Sequence, residues 1–429
     1  MKMKSLILIF LVFSALLIRA QEKPDESKFG IKFSGFVKTD VFYDTRQTIS
    51  IREGHFSLYP ASEKLDINGV DINAKDHVNI LAIQSRITGK ISGPDALGAK
   101  TFALIEADFF GNENGNFADV NGFRLRHAFI KLNWTNTELL VGQFWHPLFA
   151  HECFPDVVSF NTGAPFQPFA RHPQIRLTQK LNRINLILAV AEQRDFTSTG
   201  PDGGNSKYLN NEVLPDLNMH WQYKGNWGES NTLLLGAGVE FKTLVPRLSF
   251  AFDQNSGDGV DSTYFAGDNK VSSFALSMYS KVTTPKITWK AQMVYGGNMF
   301  EFAMLGGYAV SATPSPSQLK YEYTPTKILA VWSEIATRGK IQAGLFGGFT
   351  RNLGSLDDNV GVYYSRGANI NQVYRISPRI VGNFEKLRIS TEFEFTVAEY
   401  GTADSKGRVN DNLSTVSNLR LLLAFYYFF

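Results

Sequence analysis

A single cysteine, Cys153, in 429 residues leaves no disulfide framework and no cysteine-based zinc cluster. Neither sign of charge is in real excess: 43 Lys and Arg face 40 Asp and Glu. That balance excludes the basic stripe of a nucleic-acid-binding surface. Charged residues total only 19%, below the usual quarter. Long apolar runs are missing beyond the amino terminus. The longest later one, Leu421 to Phe429, has nine residues, less than half the roughly 20 a transmembrane helix needs. Enzyme signatures are lacking as well. No Gly-x-Ser-x-Gly elbow or phosphate-binding glycine loop occurs, and none of His55, His77, His127, His146, His151, His172 and His220 lies in a nucleophile motif. The expectation is a non-enzymatic chain without a cofactor.

What the sequence has in plenty is aromatic and glycine residues: 35 Phe, 16 Tyr and 36 Gly. With so little charge, this composition fits an all-β protein. The amino terminus carries Lys2 and Lys4, an apolar stretch from Leu6 to Ile18, then Arg19-Ala20 before Gln21. These are the three regions of a secretory signal peptide, so residues 1–20 are expected to be removed and 21–429 to work outside the cytoplasm as one domain. Without Lys2, Lys4 and Arg19 the remainder is formally neutral, 40 against 40.

Sixteen segments of alternating polarity follow, at about 31–43, 77–92, 100–110, 122–133, 137–146, 173–181, 184–194, 215–225, 231–243, 270–282, 286–298, 326–337, 340–351, 371–381, 386–399 and 414–429. Connections after odd-numbered segments are long. Those after even-numbered ones are tight and carry turn residues such as Gly93-Pro94, Thr284-Pro285 and Gly382-Asn383. A strict long/short alternation predicts an antiparallel transmembrane β-barrel with short periplasmic turns and long outer loops.

The two strand faces agree. Leu387, Ile389, Phe393, Phe395 and Val397 alternate with Arg388, Ser390, Glu392 and Glu394; Tyr374, Ile376 and Ile380 oppose Arg375, Ser377 and Arg379; and Leu81, Ile83, Ile87 and Ile91 oppose Gln84, Arg86, Thr88 and Lys90. The second face is too charged for a dry core, where unpaired charges cost several kcal/mol each. It suits a watery lumen, with the apolar face toward lipid. The last segment presents Leu419, Leu421, Leu423, Phe425, Tyr427 and Phe429 on one side and resembles the terminal signal read by outer-membrane assembly machinery. Trp134 and Trp227 beside short turns fit a periplasmic aromatic girdle. Sixteen strands enclose an aqueous channel, whereas about eight leave room only for side chains. The expected location is therefore the outer membrane of a Gram-negative-type bacterium.

The third long loop and its flanks, Gly142-Gln143-Phe144-Trp145-His146-Pro147 through Pro155-Asp156, Phe160 and Gly163 to Arg171-His172-Pro173-Gln174-Ile175-Arg176, resemble the DcaP-like family of trimeric outer-membrane porins. The specific match spans about forty residues. The resemblance implies a sixteen-stranded channel for small organic anions, notably dicarboxylates and aromatic acids, assembled as a homotrimer. The polar stretch of about ten residues after Ala20 departs from family members that carry a periplasmic coiled coil.

Strand alternation independently suggests an anion path. Arg86, Arg124, Arg126, Arg171 and Arg176 fall on the polar face or at the loop, with Glu106, Asp108, Glu392 and Glu394 as facing acids. Guanidinium stays charged and binds carboxylate with two donors. These arginines, with Glu106 and Asp108, are the expected solute-facing residues of a constriction where loop 3 folds into the lumen. The competing readings are that they are structural ion pairs, and that the barrel is a plugged structural or adhesive one. His146, His151, Glu152 and Cys153 read as an incidental cluster rather than a metal site, and Cys153 as buried beneath the loop. Asp66, Asn68, Asp71, Asn73 and Asp76, like Asp253, Asp258 and Asp261, lack calcium-loop spacing and read as solvated loop residues.

Overall fold

The computed structural model describes residues 29–111, 122–252 and 263–429. The predicted signal peptide and the Asp253, Asp258 and Asp261 group lie outside them. Sixteen long strands form one antiparallel sheet that closes on itself. They are β1 (Gly30–Asp44), β2 (His77–Leu81 with Arg86–Ser92), β3 (Lys100–Asp108), β4 (Arg124–Asn133), β5 (Thr137–Trp145), β6 (Arg171–Leu181), β7 (Ile184–Ala191), β8 (Asp216–Trp227), β9 (Asn231–Leu244), β10 (Val271–Thr283), β11 (Ile287–Gly297), β12 (Glu322–Thr337), β13 (Ile341–Gly354), β14 (Ile370–Phe384), β15 (Leu387–Ala403) and β16 (Val409–Phe428). Each pairs with its neighbours in sequence, and β16 returns to β1 from Phe36↔Phe428 to Asp44↔Arg420. Closure satisfies every strand edge, the condition for a sheet in hydrocarbon. The seam is fastened by Arg420, whose Nε and Nη2 donate to Asp44 at 2.9 and 2.8 Å.

Alternation sorts the side chains as expected over most of the wall. Tyr374, Ile376, Ile380, Phe393, Phe395, Leu421, Leu423, Phe425 and Tyr427 are exposed on the outer face, while Arg375, Arg379, Glu392 and Glu394 are buried inside. Among the described residues no helix is long and apolar enough to cross a membrane. The strands do the crossing, and their lipid-facing surface places the chain in the outer membrane.

Two expectations need correction. In β2, Leu81 and Ile83 are not on the lipid face; Ile83 is buried in the interior core, with Leu81 packed against it. The cause is an extra residue. Asp40 pairs with Leu81 and Phe36 with Arg86, so β1 advances four residues while β2 advances five. One unmatched residue reverses which side each later side chain faces. Hence Val78 and Ile80 point outward above the break, and Ile87 below it. The second correction concerns 400–413, expected as a long loop. Strands β15 and β16 continue upward as a hairpin, and only 404–408 turns, with Asp404 Oδ1 accepting from the Lys406 and Arg408 amides at 2.9 Å each.

Several long loops are structured. Loop 1 (45–76) contains a hairpin of Thr48–Ile51 and Phe56–Pro60. Loop 6 (298–321) and loop 7 (355–369) pair through Gly306–Ala312 and Tyr363–Arg366, raising the wall on that side. In loop 1 the side-chain oxygens of Asp66 and Asp71, read as solvated loop residues, are used locally. Asp66 Oδ1 accepts from the Asn68 and Val70 amides at 2.8 Å each, and Asp71 pairs with Arg46 at 2.6 Å. Trp134 donates to Leu97 O at 3.0 Å, tying two short turns together at the periplasmic rim.

Candidate functional site

Loop 3 (146–170) leaves β5 in a single 3-10 turn, Pro147–Phe149, begun by His146, with Trp145 stacked on Phe149 at 3.8 Å. From there it crosses the lumen, held by side chains of the far wall. Gln292 donates to Leu148 O at 2.9 Å, and Lys290 donates to Phe154 O at 2.9 Å and pairs with Asp156 at 2.7 Å. Glu334 accepts from the Asp156 amide at 2.8 Å, Glu392 accepts from the Val158 amide, and Glu394 accepts from Asn161 Nδ2 at 2.7 Å. Lys38 donates to Val158 O at 3.2 Å. Arg375 Nη1 donates to Ala164 O, and its Nη2 to Leu58 O of loop 1, both at 2.8 Å. Gly348 lets Phe166 lie against the wall; a Cβ there would stand 2.4 Å from the ring. Glu392 and Glu394, read from sequence as facing acids, are thus latches for loop 3.

Four loops meet in an aromatic cluster inside the barrel. Phe160 stacks on Phe110 at 4.3 Å, Phe56 meets Phe169 at 5.0 Å, and Phe196 lies 5.8 Å from Phe169. Beside this cluster runs a ladder of alternating charge. Arg86 stands 3.6 Å from Glu106; Arg126 donates to Glu106 at 2.8 Å and to Asp108 at 2.9 Å. Arg124 grips Asp108 with two bonds, 3.0 and 2.9 Å, and reaches Asp195 at 3.5 Å. Asp195 also accepts from Arg171 at 2.6 Å and Arg52 at 3.1 Å. Burial opposes the charge on Asp195, yet the guanidiniums of Arg171, Arg124 and Arg52 hold its carboxyl below the usual range. The ladder holds five guanidiniums and three carboxylates, an excess of two positive charges.

The ladder divides two cavities. An outer one of about 750 Å³ is bordered by Arg124, Arg194, Asp195 and Phe300, among loops 1, 4 (192–215), 6 and 7. An inner one of about 700 Å³ is bordered by Arg86, Glu106, Arg126 and Arg388, with Phe129, Phe144, Trp145 and Phe149. Of the residues expected from sequence, Arg86, Arg124, Arg126 and Glu106 therefore border open space. Asp108 is fully buried between Arg124 and Arg126. Arg171 and Arg176 border neither cavity: Arg171 is buried against Trp145 and Phe169, and Arg176 donates to Gln174 Oε1 and Trp145 O. Asp195 and Arg52 were not expected. Both lie in loops with no periodicity to orient a side chain. Polarity alternation put Arg375 on the lumenal face but carried no sign of the loop carbonyls it grips.

Of the His146, His151, Glu152 and Cys153 cluster, Glu152 pairs with Lys224 at 2.7 Å, and Cys153 donates through Sγ to Ser280 O at 3.2 Å. The cysteine is buried, and that burial pushes its thiol up to about 11. Thiolate is the reactive form, so a maleimide at neutral pH should leave the folded protein unlabelled and label it once denatured. Rapid labelling of the folded barrel, followed by mass spectrometry, would contradict the packing of loop 3.

A closed sixteen-strand barrel with a loop folded across its lumen is the porin architecture of outer membranes. Solved structures similar in fold to this chain include the outer membrane channel DcaP of Acinetobacter baumannii, at 15% identity and TM-score 0.65 over 96% of this chain and 100% of that one; OmpT of Vibrio cholerae in a trimer form, at 9% identity and 0.54 over 94% and 100%; and Salmonella typhi OmpF in complex with daunomycin, at 10% and 0.52 over 93% and 97%. No protein-family model and no curated relative matches the chain.

Proposed function

We propose that this porin-fold barrel is a passive, non-enzymatic channel for small hydrophilic solutes, with a preference for organic anions bearing carboxylates. The observation that carries the preference is the ladder's excess of two guanidiniums at the divide between the cavities. A carboxylate passing there meets Arg124 from outside and Arg86 and Arg126 from inside, and rings of fixed arginine favour anions. The aromatic lining of the inner cavity adds a surface for solutes with flat apolar bodies. Arg171 and Arg176 act in this reading as supports: Arg171 fixes Asp195, which in turn orients Arg124.

The barrel works as a homotrimer. An outward apolar groove of about 490 Å³ on β1 to β4, lined by Ile31, Phe33, Ile87, Ile91, Ile105 and Leu125, supports this, as does the trimer form of OmpT. Residues 1–20 export the chain, and the β16 strand ending at Phe429 offers itself to the assembly machinery.

Reversal potential under a KCl gradient across a planar bilayer tests the channel and its preference together. Stepwise conductance with a chloride-selective potential is expected. Cation selectivity would retain the channel but overturn the role of the arginines. A second reading, a plugged structural barrel, is favoured by the aromatic cluster spanning the loops; folded trimers without conductance would establish it.

A further inference from the structure

We propose that the chain binds one divalent metal ion of the zinc class on the lumenal wall, at His146, His172 and Asp216. The site adjoins the end of the arginine ladder, with His172 following Arg171 and contacting Phe196 O beside Asp195, where loop 3 begins, β6 and β8 start, and loop 6 covers the wall. One ligand atom from each of the three residues lies within 4.8 Å of the other two, and all three residues are buried. Atoms bound tetrahedrally to one zinc ion at 2.0–2.2 Å stand about 3.3–3.6 Å apart, so the ligands draw together by up to about 1.5 Å on binding.

Two further features point to a cation. Asp216 is completely buried, and neither carboxylate oxygen has a hydrogen-bond partner. Buried carboxylates are otherwise paired or bound to metal. His172 is arranged as metal-bound imidazoles usually are: its Nε2 faces Phe196 O at 3.3 Å, and Nδ1 is buried without a partner. His146 has two long contacts, Leu148 N to Nδ1 and Asn218 Nδ2 to Nε2, both 3.3 Å, and gives up one of them on binding.

The surrounding charge agrees. Asp216 also groups with Glu240 of β9 and Glu301 of loop 6, all buried. Among the described residues the ammonium paired there is Lys242, which contacts Glu301 and lies 3.5 Å from Glu240. Three acids share one ammonium there, a donor set that a bound divalent cation would complement. Imidazole ligands select a zinc-class ion over calcium or magnesium, which prefer oxygen alone. Bound there, the ion ties the start of loop 3 to strands β6 and β8, beneath the Glu301 turn of loop 6.

The test uses untagged full-length barrel in detergent, stripped with a chelator and titrated with zinc chloride. Bound zinc is measured by elemental analysis after gel filtration, and Tm is followed alongside. The expected result is about one zinc per chain and a higher Tm, unaffected by excess calcium or magnesium. Asp216→Asn and His172→Gln should each weaken zinc binding at least about ten-fold and abolish the Tm shift. His151→Gln, outside the site, should change neither. His172→Gln keeps the charge and serves if Asp216→Asn fails to fold. Absence of zinc from the stripped and reloaded native barrel, or undiminished binding by the folded variants, overturns the proposal.

Discussion

Replacing Arg375 by alanine is expected to release loops 1 and 3 together, raising single-channel conductance several-fold and lowering the unfolding midpoint. The side chain is 1% exposed, and each of its three nitrogens donates a hydrogen bond. Nε donates to Thr396 Oγ1 at 2.8 Å, Nη1 to Ala164 O of loop 3, and Nη2 to Ser57 O and Leu58 O of loop 1 at 3.3 and 2.8 Å. Glu394 lies 3.4 Å from the same guanidinium. Alanine leaves that carboxylate beside buried Glu392 without its cation, and removing one member of a buried pair costs about 3–5 kcal/mol, toward the lower end where lumenal water enters. Lysine should rescue the charge but not the grip. A single ammonium cannot reproduce a planar fork reaching two loops and the wall. Conductance is read in a planar bilayer and stability by heat or urea in detergent. Unchanged conductance from Arg375→Ala would mean that the loops are held elsewhere and that this arginine is wall structure alone.

Arg375 also illustrates where sequence reading stops. Its lumenal position was legible, because Tyr374 and Ile376 flank it in a period-two pattern that the barrel obeys. All sixteen spanning strands were legible for the same reason: each must present lipid on one side and water on the other, and that demand writes itself into alternate residues. The reading failed where alternation is broken by one residue, as between Leu81 and Arg86, since a bulge leaves no mark except a shift in parity. It also failed in the outer part of β15 and β16, above the lipid, where Asn410, Asp411 and Asn412 have no apolar partner face to signal a strand. For the site, Arg86, Arg124, Arg126, Glu106 and Asp108 were found because they lie on adjacent paired strands. Asp195 and Arg52 come from loops separated by 143 positions and meet only through the folded chain. The same limit hid the juxtaposition of Asp216 with His146 and His172, since closeness in sequence grouped His146 with His151, Glu152 and Cys153 instead.

The double substitution Arg86→Gln with Arg124→Gln is expected to abolish the anion preference while preserving the barrel. It removes the ladder's two excess charges, and every carboxylate retains a guanidinium: Glu106 and Asp108 keep Arg126, and Asp195 keeps Arg171 and Arg52. Both replaced side chains border a cavity, so a passing ion feels them through water. At about 5 Å a unit charge in water contributes about 0.8 kcal/mol, or about four-fold in the local anion concentration, and the pair about sixteen-fold. Glu106→Gln should act in the opposite direction by about four-fold. Arg171→Gln changes the formal charge equally but from a buried position behind Asp195, so its main effect should fall on stability. The comparison therefore separates charge at the lumen from charge in the wall. Ionic strength provides the internal check, because the screening length shrinks from about 10 Å at 0.1 M to about 3 Å at 1 M. A preference that comes from these guanidiniums must fade as KCl rises. One that persists at 1 M, or survives the double substitution, would belong to the shape and aromatic lining of the constriction instead.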